Sequence, residues 1–453
     1  MNNTKITLTS PMKYFSSQLT IVFAIAISQI FIPKVYAQEA LILSSGNAWE
    51  RQSVNPSYFP MCGKLFISIP QYGFGAYQNG ANYTDLFAQT ASQQTLDKEK
   101  ILSALHDNNL IDANVNFSVL QIGFKLKNVL LSVGHEAQAD FEFNYNKWLP
   151  TLLLQGNGNY IGDTIAFGPS FNLNLYHSYF LGASYKINKI SIGGKIHLLN
   201  GISNFSSSAH SIALYTNPEA YQLEFITDYN VNTTLPSLDS LQDVESPFDR
   251  LSLSKMFSKN KGYALDLGLT WDVSEKLQVG IGAKNLLSKI RWDDNVSNYS
   301  SKGSFTYEGA DVRDIFSDTI NFNIFLDTLW QQIKPTETNH SFSTKQASTF
   351  HLFANYQLSK KITLNGYFSN KHFYDSDANI NTLSMGAMYH PLSWLDLGAN
   401  YTIKGNSYNN IGLSAALRTK YFQIYCYTDN IIGVIKPLSA RNAHLLTGLN
   451  FIF

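Results

Sequence analysis

Apolar and polar residues alternate with a period of two along most of the chain after about residue 115. In the clearest stretch, from Gly262 to Asp272, one face carries Tyr263, Leu265, Leu267, Leu269 and Trp271. Glycine, alanine and polar residues occupy the other face. This alternation predicts half-buried strands. An aromatic residue at each end of the apolar row is typical of strands that cross a membrane within a β-barrel.

Similar rows recur to the last residue and predict an all-β, antiparallel, up-and-down transmembrane barrel of about 14 strands, within a range of about 12 to 16. Tyr389 and Tyr401 end two of these rows, and together with Tyr263 and Trp271 they are the predicted membrane-interface aromatics. The final row ends on Phe451 and Phe453, which resembles the insertion signal of bacterial outer-membrane barrels. A soluble β-sandwich also alternates, but the paired aromatic ends and the terminal Phe453 favour the barrel.

Residues 1–37 have the order of a secretory signal peptide. Lys13 precedes the apolar stretch Leu19 to Ile32. Val35-Tyr36-Ala37 follows, with small or branched residues at the two positions that signal peptidase recognises. We expect cleavage after Ala37 and a start at Met1 or Met12. A transmembrane anchor is the alternative, but about 14 apolar residues are too few to span a bilayer.

Residues 38–112 alternate poorly, so we assign them to a hatch inside the lumen and residues 113–453 to the barrel. Non-strand backbone has to avoid lipid, which cannot satisfy its polar groups. Thr95 to His106 predicts a small amphipathic helix with Thr95 as N-cap. A second interruption, Trp148 to Gln155, is interpreted as helix or hatch.

Three long polar segments, 231–260, 291–346 and 370–380, predict extracellular loops. In the last of them, Asp375-Ser376-Asp377 begins like a calcium-binding loop. Ile380 stands where that motif requires glycine, so the sequence favours a solvated loop without metal.

Composition and motifs exclude several classes of function. The 33 Lys and Arg balance the 33 Asp and Glu, which leaves no basic excess for nucleic acid. The sequence contains no GxSxG, HExxH, Walker or CxxC motif, so we expect no enzyme, cofactor or metal. Cys62 and Cys426 are expected to remain unpaired thiols.

The polar faces of the strands direct charged side chains into the predicted lumen. These lumen-lining charges are Glu136, Asp140, Glu142, Asp266, Lys276 and Lys284. They form either a constriction that selects a solute or an ordinary wet interior. The second interpretation is favoured because barrel interiors are polar by default.

Several motifs resemble one family of exported barrels from Bacteroidota, catalogued as a domain of unknown function. They are Asn55-Pro56-Ser57, KLFISIP at 64–70, NYTDLF at 82–87, the stretch 262–294, and KGSFTYEGADVRDIF at 302–316. That family is similar to FadL-like fatty-acid transporters and to PorV-type barrels of a secretion system. FadL-like relatives tend to have Asn-Pro-Ala where this chain has Asn-Pro-Ser. The resemblance implies an outer-membrane location, with the lipid of that membrane and the barrel-assembly machinery as partners.

Two functions follow as alternatives. The FadL resemblance implies binding or passage of a hydrophobic small molecule through the hatch, and the candidate ligand-binding residues are Asn55, Pro56, Tyr58, Phe59, Phe66, Tyr72 and Phe74. The PorV resemblance implies a barrel that does not transport and instead docks secretion-system or cell-surface proteins. Its candidate anchors lie in the loop 291–346 and are Trp292, Tyr299, Phe305, Tyr307, Phe316, Phe322, Phe325 and Trp330.

Overall fold

The computed structural model describes residues 39–46, 48–89, 94–234, 257–307, 335–376, 378–436 and 439–453, and most of these belong to one closed antiparallel barrel. In order around the ring, the wall strands are β1 (Leu65–Gln78), β4 (Asn108–Leu126), β5 (Val129–Asn146), β7 (Ser170–Ile187), β8 (Ile190–Thr216), β10 (Lys261–Asp272), β11 (Leu277–Trp292), β15 (Ser348–Ser359), β16 (Ile362–His372), β17 (Asn379–Leu392), β18 (Leu395–Lys404), β19 (Ser407–Arg418), β20 (Phe422–Thr428) and β21 (Asn442–Ile452). The predicted barrel of about 14 strands is confirmed.

The first wall strand closes the ring. β1 pairs on one side with β21, where Phe66 lies opposite Ile452, and on the other with β4, where Phe66 lies opposite Gly123. The predicted domain boundaries were therefore wrong here, because Leu65–Gln78 belongs to the wall and not to the hatch. Alternation is hidden in this strand by a register shift between Ser68 and Gln71, where Pro70 lacks the N–H that a regular ladder needs.

The two ends of the barrel differ in their connections. At one end, called here the short-turn end, residues 127–128, 188–189, 360–361 and 393–394 join neighbouring strands. The opposite end, the long-loop end, carries the remaining strands and most of the helices. These strands are β2 (Phe87–Gln89), β3 (Gln94–Leu96), β6 (Thr164–Ala166), β9 (Leu223–Thr233), β12 (Ser297–Tyr307), β13 (Thr336–Thr338) and β14 (Phe342–Thr344).

Six short α-helices and one 3₁₀ turn complete the described part of the chain. They are α1 (Glu39–Ser44), α2 (Arg51–Val54), α3 (Tyr83–Leu86), α4 (Lys98–Ala104), α5 (Trp148–Gln155), α6 (Ile431–Ile435) and the 3₁₀ turn Gly158–Tyr160. The helix expected at 148–155 is present. The predicted N-cap of α4 was wrong: Thr95 lies in β3, and the Asp97 carboxylate caps the helix by accepting a hydrogen bond from the Lys100 N–H at 3.0 Å.

The outer face of the wall is an apolar belt. On β10 the outward residues run from Trp271, near the short-turn end, to Tyr263, and all but the half-buried Leu265 are exposed. The span 263–271 is close to the 9 to 11 residues with which a tilted strand crosses a bilayer. Tyr389 and Tyr401 also lie exposed on the outer face. A belt of this height on a closed barrel is typical of a wall that faces lipid.

Within the described residues, no helix is long and apolar enough to cross a membrane. Cys62 and Cys426 are both free thiols.

The belt can be tested with one arginine placed at its centre. Leu267 is 45% exposed in the middle of the β10 row. We expect Leu267→Arg to lower the free energy of unfolding in lipid vesicles by about 2–4 kcal/mol, because its charge would sit at the bilayer midplane. Leu153→Arg on α5, at a position 64% exposed at the long-loop end, is the matched control and should have little effect. Equal losses for the two variants would contradict a lipid-facing belt.

Candidate functional site

The chain ahead of β1 lies inside the barrel and blocks it near the short-turn end. We call the described residues of 39–64 the plug. Its first helix, α1, has Leu41 and Leu43 fully buried. They belong to one apolar cluster with inward side chains of four wall strands, namely Phe353, Tyr367, Met388, Tyr425 and Tyr427. The plug is therefore packed against the wall as a core element.

A buried carboxylate fixes the middle of the plug. Glu50 accepts hydrogen bonds from the Tyr427 hydroxyl at 2.6 Å and from the Asn450 amide at 2.9 Å. Burial raises the pKa of Glu50, while the Arg418 guanidinium and the two hydrogen bonds lower it in part. Next to it, Trp49 stacks on Phe66 of β1 with ring centroids 4.8 Å apart.

Two wall lysines hold the backbone of the second plug helix. The Lys195 ammonium donates to the Gln52 carbonyl at 2.6 Å, and the Lys284 ammonium donates to the Ser53 carbonyl at 2.9 Å. Both carbonyls lie near the C-terminal end of α2, where unpaired acceptors attract cations. Within the plug, the Arg51 guanidinium lies 4.4 Å from the centroid of the Tyr58 ring.

The Asn55-Pro56-Ser57 segment makes a small hydrogen-bonded turn against the wall. The Asn55 amide donates to the Ile281 carbonyl at 3.0 Å, and its side-chain oxygen accepts from the Ser57 N–H at 2.9 Å. The Ser184 hydroxyl donates to the Pro56 carbonyl at 2.6 Å. Strands β7 and β11 thus bind the turn from different directions.

Glycines in the wall make room for this turn. A Cβ atom on Gly193 would lie 2.1 Å from the Pro56 carbonyl oxygen, and one on Gly268 would lie 2.0 Å from the Asn55 side-chain oxygen. Real Cβ atoms do not approach other heavy atoms so closely. At these two positions the plug rests on bare wall backbone, a contact that any side chain would break.

An apolar groove lies on the outer side of the same patch. Its outward side chains include Tyr185, Ile192, Leu269 and Phe350, and its floor contains Gly193, Gly194, Gly268 and Gly282. The volume open to water-sized molecules is about 650 Å³. Because the floor has no side chains, only wall backbone separates the groove from the Asn55-Pro56-Ser57 turn.

Above the plug, towards the long-loop end, lies a chamber with about 310 Å³ open to water-sized molecules. Its floor is formed by plug residues Glu39, Ile42, Ser53 and Val54. Acidic and amide side chains of β4, β5 and β7 line one side: Asp112, Asn114, Asn116, Glu136, Gln138, Asp140, Glu142, Asn172 and Asn174. The other parts of the wall and its loops contribute five lysines, Lys195, Lys284, Lys345, Lys371 and Lys404, together with the carboxylates of Asp266 and Asp429. Most of the residues that line the chamber are polar.

The structure brings five of the six sequence-selected charges together in this chamber: Glu136, Asp140, Glu142, Asp266 and Lys284. Their role in selecting a solute stays a prediction. Lys276 was wrongly placed, because it lies exposed in the turn between β10 and β11. Periodicity assigned it to the inner face, but the strand starts only at Leu277.

The hatch aromatics do not line the chamber as a group. Tyr58 packs under Arg51, Phe59 packs on the cluster of Trp49 and Phe66, and Tyr72 is half exposed on the outer row of β1. Phe74, on the same row as Tyr72, is half-buried and borders the chamber. Phe451 lies on the outward row of β21, and the exposed Phe453 ends the described chain. The insertion role of these two residues stays a prediction.

The proposed docking aromatics of loop 291–346 are only partly described. Trp292 is fully buried and donates to the Thr344 hydroxyl at 3.0 Å, so it is no exposed anchor. Phe305 stacks on Phe225, and Tyr299 donates to Glu337. The side chain of Tyr307, and Phe316, Phe322, Phe325 and Trp330, lie outside what the structure describes.

Sequence reasoning missed one part of the site, the connection between β16 and β17. Expected to be a solvated loop, it turns into the barrel, where Phe373 is 2% exposed and Lys371 and Phe373 line the chamber. The available signal in the sequence was Phe373, an aromatic residue two positions after Lys371 in an otherwise polar segment. No group of three or more His, Cys, Asp or Glu side chains among the described residues is placed to hold a metal ion.

Comparisons with known proteins place the chain in a family without assigning it a function. Among curated proteins, no significant match is found. Solved structures of similar architecture include the toluene transporter TodX of Pseudomonas putida, with 10% identity, a TM-score of 0.40 and coverage of 92% of this chain and 96% of that one. A FadL homologue of Pseudomonas aeruginosa has 11% identity, a TM-score of 0.32 and coverage of 92% and 98%. The translocator domain of the autotransporter NalP from Neisseria meningitidis has 9% identity, a TM-score of 0.35 and coverage of 89% and 94%.

Likenesses this distant say nothing about what the chain binds. A family model, in contrast, matches residues 58–429, which is most of the chain. The chain belongs to the family of unknown function DUF5723.

Proposed function

We propose that this chain is an outer-membrane barrel that binds small polar molecules in its chamber and passes them when the plug is displaced. The observation that carries the proposal is the charged chamber floored by a plug that closes the way to the short-turn end. The apolar belt supports insertion into a bilayer. The proposal includes export by residues 1–37, contact with outer-membrane lipid, and insertion by the barrel-assembly machinery at the carboxy-terminal phenylalanines. It includes no catalytic role.

The lining of the chamber favours a polar solute. Carboxylates and amides predominate on β4, β5 and β7, and the other parts of the wall supply five lysines as well as Asp266 and Asp429. An apolar molecule in the chamber would displace the water that hydrates these groups and would offer them no hydrogen bonds in exchange. The loss of hydration costs several kcal/mol of free energy for each charged group. A solute with both a positive and a negative group would satisfy both sides.

A hydrophobic small molecule is the second candidate, and the outer groove is the observation that favours it. The groove offers apolar walls directly behind the Asn55-Pro56-Ser57 turn. A hydrophobic solute bound there would lie on the lipid side of the wall. The secretion-system docking predicted from loop 291–346 gains no comparable observation from the described residues.

The seating of the plug can be tested at the glycine patch. We expect Gly268→Ala to weaken seating by about 1–3 kcal/mol, because the new methyl group would overlap Asn55 and over-packing of a fitted contact costs about this much. Amide hydrogen exchange of residues 49–58 in the folded barrel should then become faster by roughly tenfold or more.

The matched control is Gly366→Ala in β16, where a Cβ atom would meet no other atom within 4 Å. Amide hydrogen exchange of residues 49–58 in this variant should be as slow as in the parent protein. Unchanged exchange in Gly268→Ala would show that the glycine patch does not seat the plug.

Passage is tested by swelling of proteoliposomes in an amino acid or a disaccharide. The parent protein should give slow swelling, Gly268→Ala several-fold faster swelling, and Gly366→Ala no change, because only the first variant loosens the floor of the chamber. Saturable binding of an aromatic hydrocarbon to the detergent-purified protein, measured by titration calorimetry, tests the second candidate. Swelling that stays slow in Gly268→Ala after its plug has been shown to loosen would contradict passage of polar solutes.

A further inference from the structure

Described residues between β16 and β17 turn into the barrel, where Phe373 is buried and lines the chamber. We call residues 373–376 the strap; residue 377, which follows it, lies outside the described chain. The Phe373 ring is buried in a cluster with Tyr77 of β1, Leu110 of β4 and Ile380 of β17. At the base of the strap, the Lys371 ammonium lies 4.9 Å from the centroid of that ring.

Three polar contacts tie the strap and its base to strands on the far side of the barrel. The Lys371 ammonium donates to both carboxylate oxygens of Asp112 on β4, at 2.9 and 2.8 Å. Asn172 of β7 donates to the Asp375 carboxylate at 2.7 Å. The Ser376 hydroxyl donates to the Glu142 carboxylate of β5 at 2.5 Å.

The topology shows that these contacts cross the lumen. In the ring of fourteen wall strands, β16 and β4 are seven positions apart in either direction. Side chains that meet across this separation can do so only through the interior. The strap therefore divides the mouth of the chamber.

The ion pair of Lys371 with Asp112 is the strongest of the ties. The Asp112 side chain is 8% exposed and that of Lys371 is 24% exposed. Asp140 and Glu142 also attract the same ammonium. Removing one partner of a buried pair leaves the other charge without compensation, which is strongly unfavourable.

We infer that the strap, held by Lys371 and Asp112, sets the largest molecule that can enter the chamber from the long-loop end. The inference rests on the proposed function in that the chamber is where a solute binds. Small solutes pass beside the strap, and bulky ones enter only when it is released.

The test measures access to the chamber and needs no transport. A reporter cysteine, Ser369→Cys, is placed on the inner face of β16 where Ser369 lines the chamber, in a chain carrying Cys62→Ser and Cys426→Ser. The purified barrel is labelled with N-ethylmaleimide as the small probe and with a maleimide bearing a neutral polyethylene glycol chain as the bulky probe. The labelling rate of each variant is measured with both probes.

We expect the bulky probe to react slowly with the parent and roughly tenfold or more faster with Lys371→Ala, because the pair across the lumen is lost. Lys371→Arg, which keeps the pair, and Lys361→Ala, an exposed lysine at the other end of β16, should stay slow. The small probe should label all of them alike, which shows that each variant is folded with an open chamber.

A second variant carries Asp375→Ala and Ser376→Ala, both outside the wall strands, and should also admit the bulky probe faster. If the bulky probe reacts with the parent as fast as the small one does, or if neither variant accelerates it, the inference is overturned. Because labelling requires no passage past the plug, failure of the swelling experiment would leave this result standing.

Discussion

The backbone of a chain in lipid must satisfy its own hydrogen bonds, and the architecture of this protein follows from that constraint. Lipid offers no partner to an unpaired N–H or C=O group, so a sheet in a membrane has to close on itself. Here the closing strand is β1, which pairs with both β21 and β4. Closure commits residues 65–78 to the wall, so the plug near the short-turn end is formed by the segment before them.

The backbone of the plug must also satisfy its hydrogen bonds, in this case inside a polar lumen. Its short helices leave backbone carbonyls unpaired, and the wall supplies cations for two of them through Lys195 and Lys284. Its Asn55-Pro56-Ser57 turn lies against glycines and is attached by close steric fit and by hydrogen bonds between uncharged groups. The same glycines form the floor of the outer apolar groove. The absence of side chains at these positions therefore both seats the plug and creates the groove.

Short-range pattern was enough to predict the parts of the fold that repeat. Alternation along β10 and β11 predicted the barrel and its outer belt, and the run at Trp148 predicted a helix. The pattern failed where a local irregularity interrupts it. The register shift at Pro70 prevented the prediction of β1 as a wall strand. Lys276 was assigned to the inner face although it lies in the turn before β11. The strap was missed for a different reason. Glu142 and Ser376 are 234 residues apart in sequence, and no periodicity shows that they meet.

The two closures of the chamber depend on different physical interactions, and this difference gives them different sensitivities. The floor is held mainly by steric fit on bare backbone and by apolar packing, interactions that a dissolved molecule cannot imitate. Lys195 and Lys284 add two hydrogen bonds from charged groups. The strap above is held by charge pairs and charge-assisted hydrogen bonds, for which a solute with its own ammonium or carboxylate group can substitute. A charged molecule arriving at the long-loop end meets Lys371 and Asp112 before it reaches Lys195 and Lys284 at the plug. Entry would then begin with exchange of partners at the strap, and displacement of the plug would need the solute to compete for the two lysines that hold its helix.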